Sequence, residues 1–435
     1  MTRNNSSANV IHPPRMPIRG RVLALVGIVL VALNLRLAIT SLSVLYDAIG
    51  KDVTGFSVTF VGILPLICFS IFGLLAHNVA ERIGFENSLL IAMLAVFVGT
   101  VFRAFSSEIW TFAACTVVAG AGMAFGNVLL FPVIKKYFPD HIGAMTATFS
   151  VLLAVSSAVP PSLAIPVADA VHWRVSIGWW GIVALAAALP WIAIRPDKDL
   201  QAYEKAHKES KLGAGATHPE ASTHVPVWKW PIAWSLMSLF GFGFLSRFSV
   251  TTHLKSYLDP VSGQQYFSAA EVGSMLSVYN SLGLFHALII PLVIGRMKHP
   301  YIIIALSGTL QIIGYLGLLY EPTLSWAWAV VLAPSWMVCT ALFQLINLRT
   351  HTTTGASALS GFVQGVGYIF AGIGPLFVGL LHEWTGGWSV PIWFLIVAAA
   401  VMMVVGVPSV KHEYLEDAVA VRVEHPSDSA TKTQT

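Results

Sequence analysis

The feature that most constrains this chain is a series of long apolar runs, separated by short polar breaks. A helix needs about 20 apolar residues, with a rise of about 1.5 Å per residue, to cross a hydrocarbon core about 30 Å thick. Only 11% of the 435 residues are charged, whereas soluble domains have about 25%. The pattern therefore predicts an all-α membrane protein that crosses the bilayer many times.

The apolar runs predict twelve transmembrane helices, six in each half of the chain. In the first half they lie near 22–46, 58–79, 87–105, 109–135, 142–170 and 175–194. In the second half they lie near 230–257, 269–296, 300–320, 324–348, 355–381 and 388–408. The domain prediction is then a tail 1–21, a six-helix half 22–194, a polar linker 195–229, a six-helix half 230–410 and a tail 411–435.

The distribution of Lys and Arg predicts which way the chain faces. Cytoplasmic loops keep positive charge, and on this layout most basic residues fall on the side of the tails and the linker. The opposite side has four of them, namely Lys51, Arg103, Arg174 and Lys255. Both termini are therefore expected in the cytoplasm.

An internal repeat connects the two halves. A shift of 214 positions aligns four pairs at corresponding places: Arg82 with Arg296, Lys135 with Arg349, Pro161 with Pro375 and Trp179 with Trp393. Parallel repeats related by an axis along the membrane normal are known in membrane transporters, with the substrate site near the midplane between them. We expect two pseudo-symmetric halves of this kind.

Two arginines fall in the middle of predicted spans. Arg36, which follows Asn34 in the first helix, and Arg247 in the seventh occupy nearly equivalent positions. Intramembrane charge is costly and usually faces a cavity or a partner. The functional interpretation is that both guanidinium groups bind a small oxyanion or carboxylate, and the alternative is that each arginine caps carbonyl groups or braces a neighbouring helix.

The acidic residues strengthen the first interpretation, because no Asp or Glu falls in the middle of a predicted span. The same fact argues against a proton relay through buried carboxylates. His253 and His286 remain as candidates for proton coupling, since histidine titrates near neutral pH, although a lone histidine in a helix is more often structural.

Several uncharged polar residues also fall inside predicted spans. The candidates for substrate contact are Asn34, Asn127, Gln344, Gln364 and Tyr368. Gln364 and Tyr368 are four residues apart and share one helix face. Each of these residues could face a cavity or simply lock helix packing.

The loop after the second helix resembles a signature of the major facilitator superfamily. Gly73 is followed by Ala80-Glu81-Arg82-Ile83-Gly84, with Glu81-Arg82 in the place of Asp-Arg. Further resemblance, to the cyanate permease and nitroimidazole transporter family, is carried by residues 34–41, 126–130, 138–140, 348–350, 358–368 and 374–382. The seventh helix departs from that family at residues 246–249 and 255–258.

The resemblance implies the major facilitator fold and a secondary transporter in a bacterial inner membrane. The expected substrate is a small, anionic compound, cyanate-like or a carboxylate, moved by alternating access. The expected gating residues in cytoplasmic loops are Glu81, Arg82, Lys135, Arg296 and Arg349. The alternatives are a proton-coupled exporter of neutral drugs or nitroaromatics and, from a different class, a sensor without transport.

The sequence has no pattern typical of an enzyme. Cys68, Cys115 and Cys339 lie singly in apolar runs, and neither a metal-ligand cluster nor a phosphate-binding loop is recognisable. We therefore expect no catalytic residues, metal or cofactor. The expected partners are a small-molecule substrate, a coupling proton in the second alternative and the lipid bilayer, with no nucleic acid, and the expected state is a monomer.

Overall fold

The structure, a computed structural model, describes residues 18–55, 58–194, 227–258, 267–410 and 414–415, and nearly all of them are helical. In the first half the helices are α1 (Ile18–Ser43), α2 (Val58–Ile83), α3 (Phe85–Ala104), α4 (Ile109–Tyr137), α5 (Ile142–Ala170) and α6, which has two parts (Trp173–Gly178 and Trp180–Ala193). In the second half they are α7 (Pro231–Leu258), α8 (Ala269–Ile294), α9 (Tyr301–Tyr320), α10 in two parts (Ser325–Leu332 and Ser335–Leu348), α11 (Thr353–Thr385) and α12 (Ser389–Val405).

Short elements connect these helices. They are the helix Tyr46–Asp52 and the 3-10 turns Pro139–His141, Val227–Lys229, Pro322–Leu324 and Val407–Val410. An isolated bridge pairs Thr54 with Glu108 and joins two of the connections. The described backbone thus satisfies its hydrogen bonds almost entirely within helices, as a lipid environment requires.

Helix length and surface chemistry agree with a membrane location. Among the described residues, ten helical stretches are long and apolar enough to cross a membrane, and Ser389–Val405 is a shorter apolar helix. Large apolar side chains such as Ile182, Phe285 and Val404 are mostly exposed on the outside. In water such a surface would be an aggregation hazard, whereas a bilayer covers it.

Helix ends follow local sequence rules. Ser268 caps α8 in a capping box, in which its hydroxyl accepts from the Glu271 amide and the Glu271 carboxylate accepts from the Ser268 amide. Gly386 ends α11 in the left-handed conformation, with φ of 65°. In α10 the helix is interrupted at Ala333 and Pro334, since proline cannot donate the usual backbone hydrogen bond.

Three helices from each half form the interface between the halves. In the first half α2 and α4 pack on α11, and α5 packs on α8 and α10. The largest core cluster extends across both halves and includes Phe131 and Phe149 from the first and Phe240 and Phe343 from the second. Phe131 stacks on Phe343 with ring centroids 5.0 Å apart, and Phe149 meets Phe343 edge to face.

The predicted fold class is confirmed: the described residues form an all-α membrane protein with twelve helices in two groups of six, and ten of its helical stretches are long and apolar enough to cross a membrane. The domain boundaries stay a prediction. Most of the predicted linker and of both predicted tails lies outside the described residues, as does the side chain of Lys255.

Candidate functional site

A cavity between the two halves is the candidate site, with about 380 Å³ of space that is not filled by atoms and is partly open to solvent. The first half supplies Arg36 from α1 and Ser150 and Ser157 from α5. The second half supplies Arg247 from α7 and Trp336 from α10. The structure therefore brings the two predicted arginines to one cavity.

Arg36 is held by aromatic side chains. Its Nη2 donates a 2.9 Å hydrogen bond to the hydroxyl of Tyr368. Its guanidinium lies over the ring of Phe69, at 4.9 Å from the centroid, and 5.9 Å from the centroid of Tyr368. Phe69 and Tyr368 stack on each other at 4.9 Å. These cation–π contacts position the group without neutralising its charge.

Arg247 has a different support. Its guanidinium carbon lies 3.5 Å from the ring centroid of Trp336 and at longer range from Phe244 and Phe248. Its Nε is buried without a hydrogen-bond partner. The Trp336 ring also lies directly against Gly283, where a Cβ atom would overlap the indole. The glycine thus makes room for the indole on which Arg247 rests.

Three predicted polar residues form one buried network between the halves. The Nδ2 of Asn127, on α4, donates to Gln364 Oε1 at 2.6 Å and to the Tyr368 hydroxyl at 3.0 Å, both on α11. Gln364 Nε2 donates to the hydroxyl of Ser360 at 2.8 Å. Because Tyr368 also accepts from Arg36, the network connects directly to one of the two guanidinium groups.

Asn34 and Gln344 lie away from that network. The Asn34 amide donates to the carbonyl groups of Leu30 and, across to α6, Val183. Gln344 is buried near Gly143 and Gly295, at the ends of α5 and α8. Asn34 therefore holds α1 against α6. The amide oxygen of Gln344 is buried and has no hydrogen-bond partner.

The two predicted histidines have separate surroundings. The Nε2 of His253 lies 2.8 Å from the carbonyl oxygen of Pro375, and the ring lies against Trp388. His286 is half-buried on α8, and its Nδ1 is buried without a hydrogen-bond partner. Neither histidine lines the cavity that contains the arginines.

The predicted loop residues divide into two groups. Lys135, at the end of α4, donates across the halves to the carbonyl oxygens of Asn347 and Thr350 and to the Thr350 hydroxyl. Arg349, its repeat partner, donates instead to Ser409 and Val410 within its own half. Burial lowers the pKa of Arg349, and the nearby Tyr414 opposes that shift.

The remaining loop residues are exposed, namely Glu81, Arg82 and Arg296. Glu81 pairs with His77 one turn earlier at 3.4 Å. Near this loop, Glu86 has two side-chain partners. It pairs with Lys136 at 3.0 Å and accepts a hydrogen bond from the Tyr137 hydroxyl. Sequence reasoning did not select Glu86, although its position beside the Glu81–Arg82 loop was a signal.

Sequence reasoning also missed Trp336, Phe69 and Arg103. Arg103 was assigned to the outer loops, but it is fully buried in the last turn of α3 and donates to the carbonyl of Ala38 on α1 at 2.8 Å. The predicted span 87–105 already contained Arg103, and this was the available signal. Within the described ranges, His, Cys, Asp and Glu form no group of three that could hold a metal ion.

Comparisons with known proteins agree with this architecture. The chain is 27% identical over 393 residues to the 2-nitroimidazole transporter of Escherichia coli (strain K12), covering 89% of this chain and 95% of that protein. It is 23% identical over 378 residues to the cyanate transport protein CynX of the same organism, covering 84% and 91%.

A solved structure shares the fold. The proton:xylose symporter XylE, bound to 6-bromo-6-deoxy-D-glucose, matches with a TM-score of 0.72 at 12% identity, over 93% of this chain and 98% of that one. The family model described as Major Facilitator Superfamily matches residues 24–372. With a match over most of its length, two halves of six helices and a cavity between them, the chain belongs to the Major Facilitator Superfamily.

Proposed function

We propose that this chain is a secondary transporter of a small anion, cyanate-like or a carboxylate, which works by alternating access. One observation carries the proposal: Arg36 and Arg247, from opposite halves, line the same cavity. Among the described residues, the acidic groups in ion pairs are Asp52, Glu81 and Glu86, and none of them pairs with either arginine.

Among the polar side chains that line the cavity, the two guanidinium groups are the ones that offer hydrogen-bond donors to an anion. The hydroxyl groups of Ser150, Ser157 and Thr340 all donate to carbonyl oxygens of their own helices. A ligand therefore meets hydroxyl oxygens that can accept and guanidinium groups that can donate. Guanidinium groups bind carboxylates and other planar oxyanions through paired hydrogen bonds, and an uncompensated cation in a low-dielectric site is costly.

The similarity to a cyanate transport protein supports a small anion as substrate. The network of Asn127, Gln364 and Tyr368 contributes by fixing Arg36. We leave Asn34 and Gln344 out of direct substrate contact, because their amide groups lie away from that network.

Alternating access requires contacts between the halves that form at one end and break when that end opens. Lys135 is the strongest candidate for such a contact, since it donates to three oxygens of the opposite half. Arg349, Glu81, Arg82 and Arg296 would shape the surrounding loops.

A second candidate function is proton-coupled export of neutral nitroaromatic compounds. The similarity to a 2-nitroimidazole transporter favours it, as do the aromatic walls formed by Phe244, Trp336 and Phe343. His253 and His286 would then be the groups available for proton coupling. In the part of the chain that the structure describes, no feature favours a sensor without transport.

The basic loops support a position in a bacterial inner membrane with both termini in the cytoplasm. We propose that the protein acts as a monomer without enzymatic activity, since the relatives and the structural neighbour are transporters. The linker 195–229 would join the halves on the cytoplasmic side. Lipid and a small-molecule substrate are then its partners.

Flux into proteoliposomes tests the choice between the two candidates. The purified full chain is reconstituted, and uptake of cyanate, benzoate and 2-nitroimidazole is measured with and without a pH gradient, after subtraction of protein-free liposomes. The proposal predicts saturable uptake of at least one of the two anions without need of a pH gradient. Uptake of 2-nitroimidazole alone, driven by the gradient, would favour the second candidate and contradict the first.

A further inference from the structure

The last described residues of the chain fold back onto the connection between α10 and α11. Arg349, which directly follows α10, donates from Nε to the carbonyl oxygen of Ser409 at 3.0 Å and from Nη2 to that of Val410 at 2.8 Å. The amide of Leu415 donates in turn to the carbonyl oxygen of Arg349 at 3.0 Å. Both the side chain and the backbone of one arginine therefore bind the C-terminal segment.

Ring stacking and burial fasten the same segment. The ring of Tyr414 stacks on the ring of His351, with centroids 3.7 Å apart and planes inclined by 23°. Leu415 has no exposed surface and belongs to the core cluster that extends across both halves. Because removal of apolar surface from water is stabilising, the side chain of Leu415 favours the docked position.

The base of the segment is fixed to its own half. The backbone amide of Ser409 donates to the hydroxyl of Ser235 on α7 at 3.0 Å, and that hydroxyl donates to the carbonyl oxygen of Val405 at the end of α12. Ser409 is itself fully buried. Tyr414 and Leu415 thus reach the α10–α11 connection from an anchored base.

The connection that receives this segment also binds the first half. Lys135, on α4, donates to the hydroxyl of Thr350 at 2.9 Å and to the carbonyl oxygens of Thr350 and Asn347. Thr350 lies between Arg349 and His351, the two residues that the C-terminal segment contacts. An ammonium group makes several hydrogen bonds at once only if its acceptors stay in place. The segment therefore fixes the acceptors on which Lys135 depends.

We propose that Ser409, Val410, Tyr414 and Leu415 form a C-terminal latch on the contact between the halves. While the latch is docked, the connection keeps its hydrogen bonds to Lys135 and this end stays closed. When Tyr414 and Leu415 leave, the connection loses its ring stack and one backbone hydrogen bond, and this end opens more often. The inference rests on the alternating access of the proposed function but not on the identity of the transported compound.

The test measures how fast N-ethylmaleimide reacts with Cys339, which lines the cavity, in the full chain with Cys68 and Cys115 replaced by alanine. The latch variant carries Tyr414→Ala and Leu415→Ala. Its matched control carries Tyr320→Ala and Leu324→Ala, at two mostly exposed positions beyond the far end of the connection's helix α10.

The latch variant should react about twofold to tenfold faster than the parent, the change that the loss of one ordinary hydrogen bond gives. The control should match the parent. Equal rates in the latch variant and the control would overturn the inference. Because no transport is measured, this result stands even if neither cyanate nor benzoate is carried.

A cycle with Lys135→Met separates a latch from general loosening of the protein. If the latch acts through Lys135, the latch variant should add little to the rate of Lys135→Met, since the contact is already lost. Rates that multiply in the combined variant would contradict the latch. Thermal unfolding of each variant verifies that the compared proteins are folded at the temperature of the reaction.

Discussion

The Nη2 of Arg36 and the hydroxyl of Tyr368, 2.9 Å apart, join α1 of the first half to α11 of the second. The same hydroxyl accepts from Asn127 on α4. A single phenol therefore links the cation of the cavity to the buried amide network between the halves.

Tyr368→Phe removes the hydroxyl that accepts both hydrogen bonds and keeps the ring. Each bond contributes about 0.5–1.5 kcal/mol, so the loss of both should lower the unfolding free energy by about 1–3 kcal/mol. The apparent KM for a transported anion should rise, because Arg36 loses its anchor. Thermal unfolding in detergent and proteoliposome flux measure the two effects.

Tyr320→Phe is the matched control, since Tyr320 is mostly exposed at the end of α9. It should change neither quantity. If Tyr368→Phe behaved like this control, the hydroxyl would have no role in orienting Arg36.

Gly283→Ala should damage the site through Trp336. A methyl group at Gly283 would overlap the indole that supports Arg247, and overpacking of this kind costs about 1–3 kcal/mol. We expect a lower melting temperature together with a loss of anion flux. Both follow from displacement of the indole and of the guanidinium that rests on it.

Gly273→Ala lies on the same helix, where an added Cβ meets nothing within 4 Å. It should be neutral or stabilise the helix by up to about 1 kcal/mol. Unchanged flux in Gly283→Ala, with thermal stability like that of Gly273→Ala, would contradict the role assigned to Trp336.

Lys135→Met should loosen the contact between α4 and the end of α10. The lysine donates to Asn347 and Thr350 of the opposite half, so its loss should let this end open more often. Cys339 lines the cavity and is buried. With Cys68 and Cys115 replaced by alanine, its reaction rate with N-ethylmaleimide should rise several-fold.

Lys136→Met is the control, because Lys136 pairs with Glu86 inside the first half. It should leave the Cys339 rate close to that of the parent. Equal rates for the two methionine variants would show that Lys135 does not hold the halves together.

The fold could be predicted from the sequence because lipid imposes one solution on long apolar segments: each must satisfy its backbone within a helix. The polar breaks between apolar runs predicted the ends of α5 and α9 to within a few residues. The interruption of α10 at Pro334 was not predicted, since prolines inside α2, α4 and α11 bend or fit the helix without ending it.

The site could be predicted only in part. Arg36 and Arg247 stood out because charge inside a span is costly, and the structure places both at one cavity. Asn34 had the same sequence signal as Asn127, yet its amide meets a carbonyl group of α6. Which way an uncharged side chain points depends on helix rotation, and a span apolar on all sides does not fix that rotation.

Aromatic residues posed the same difficulty. Trp336 and Trp384 both lie in apolar helices, but Trp336 is buried against Arg247 whereas Trp384 is mostly exposed. Composition alone does not separate an aromatic side chain that supports a cation from one that meets lipid. Packing against Gly283 makes the distinction, and it is visible only in three dimensions.

The central claim is that Arg36 and Arg247 together bind the transported anion. Its most direct test is the proteoliposome flux of cyanate and benzoate in Arg36→Ala and in Arg247→Ala, with the exposed Arg296→Ala as control. A hydrogen bond to a charged group contributes about 1.5–3 kcal/mol, so each cavity variant should lose about 10-fold to 100-fold in kcat/KM, and the control should match the wild type. Wild-type anion flux in both cavity variants would contradict the account.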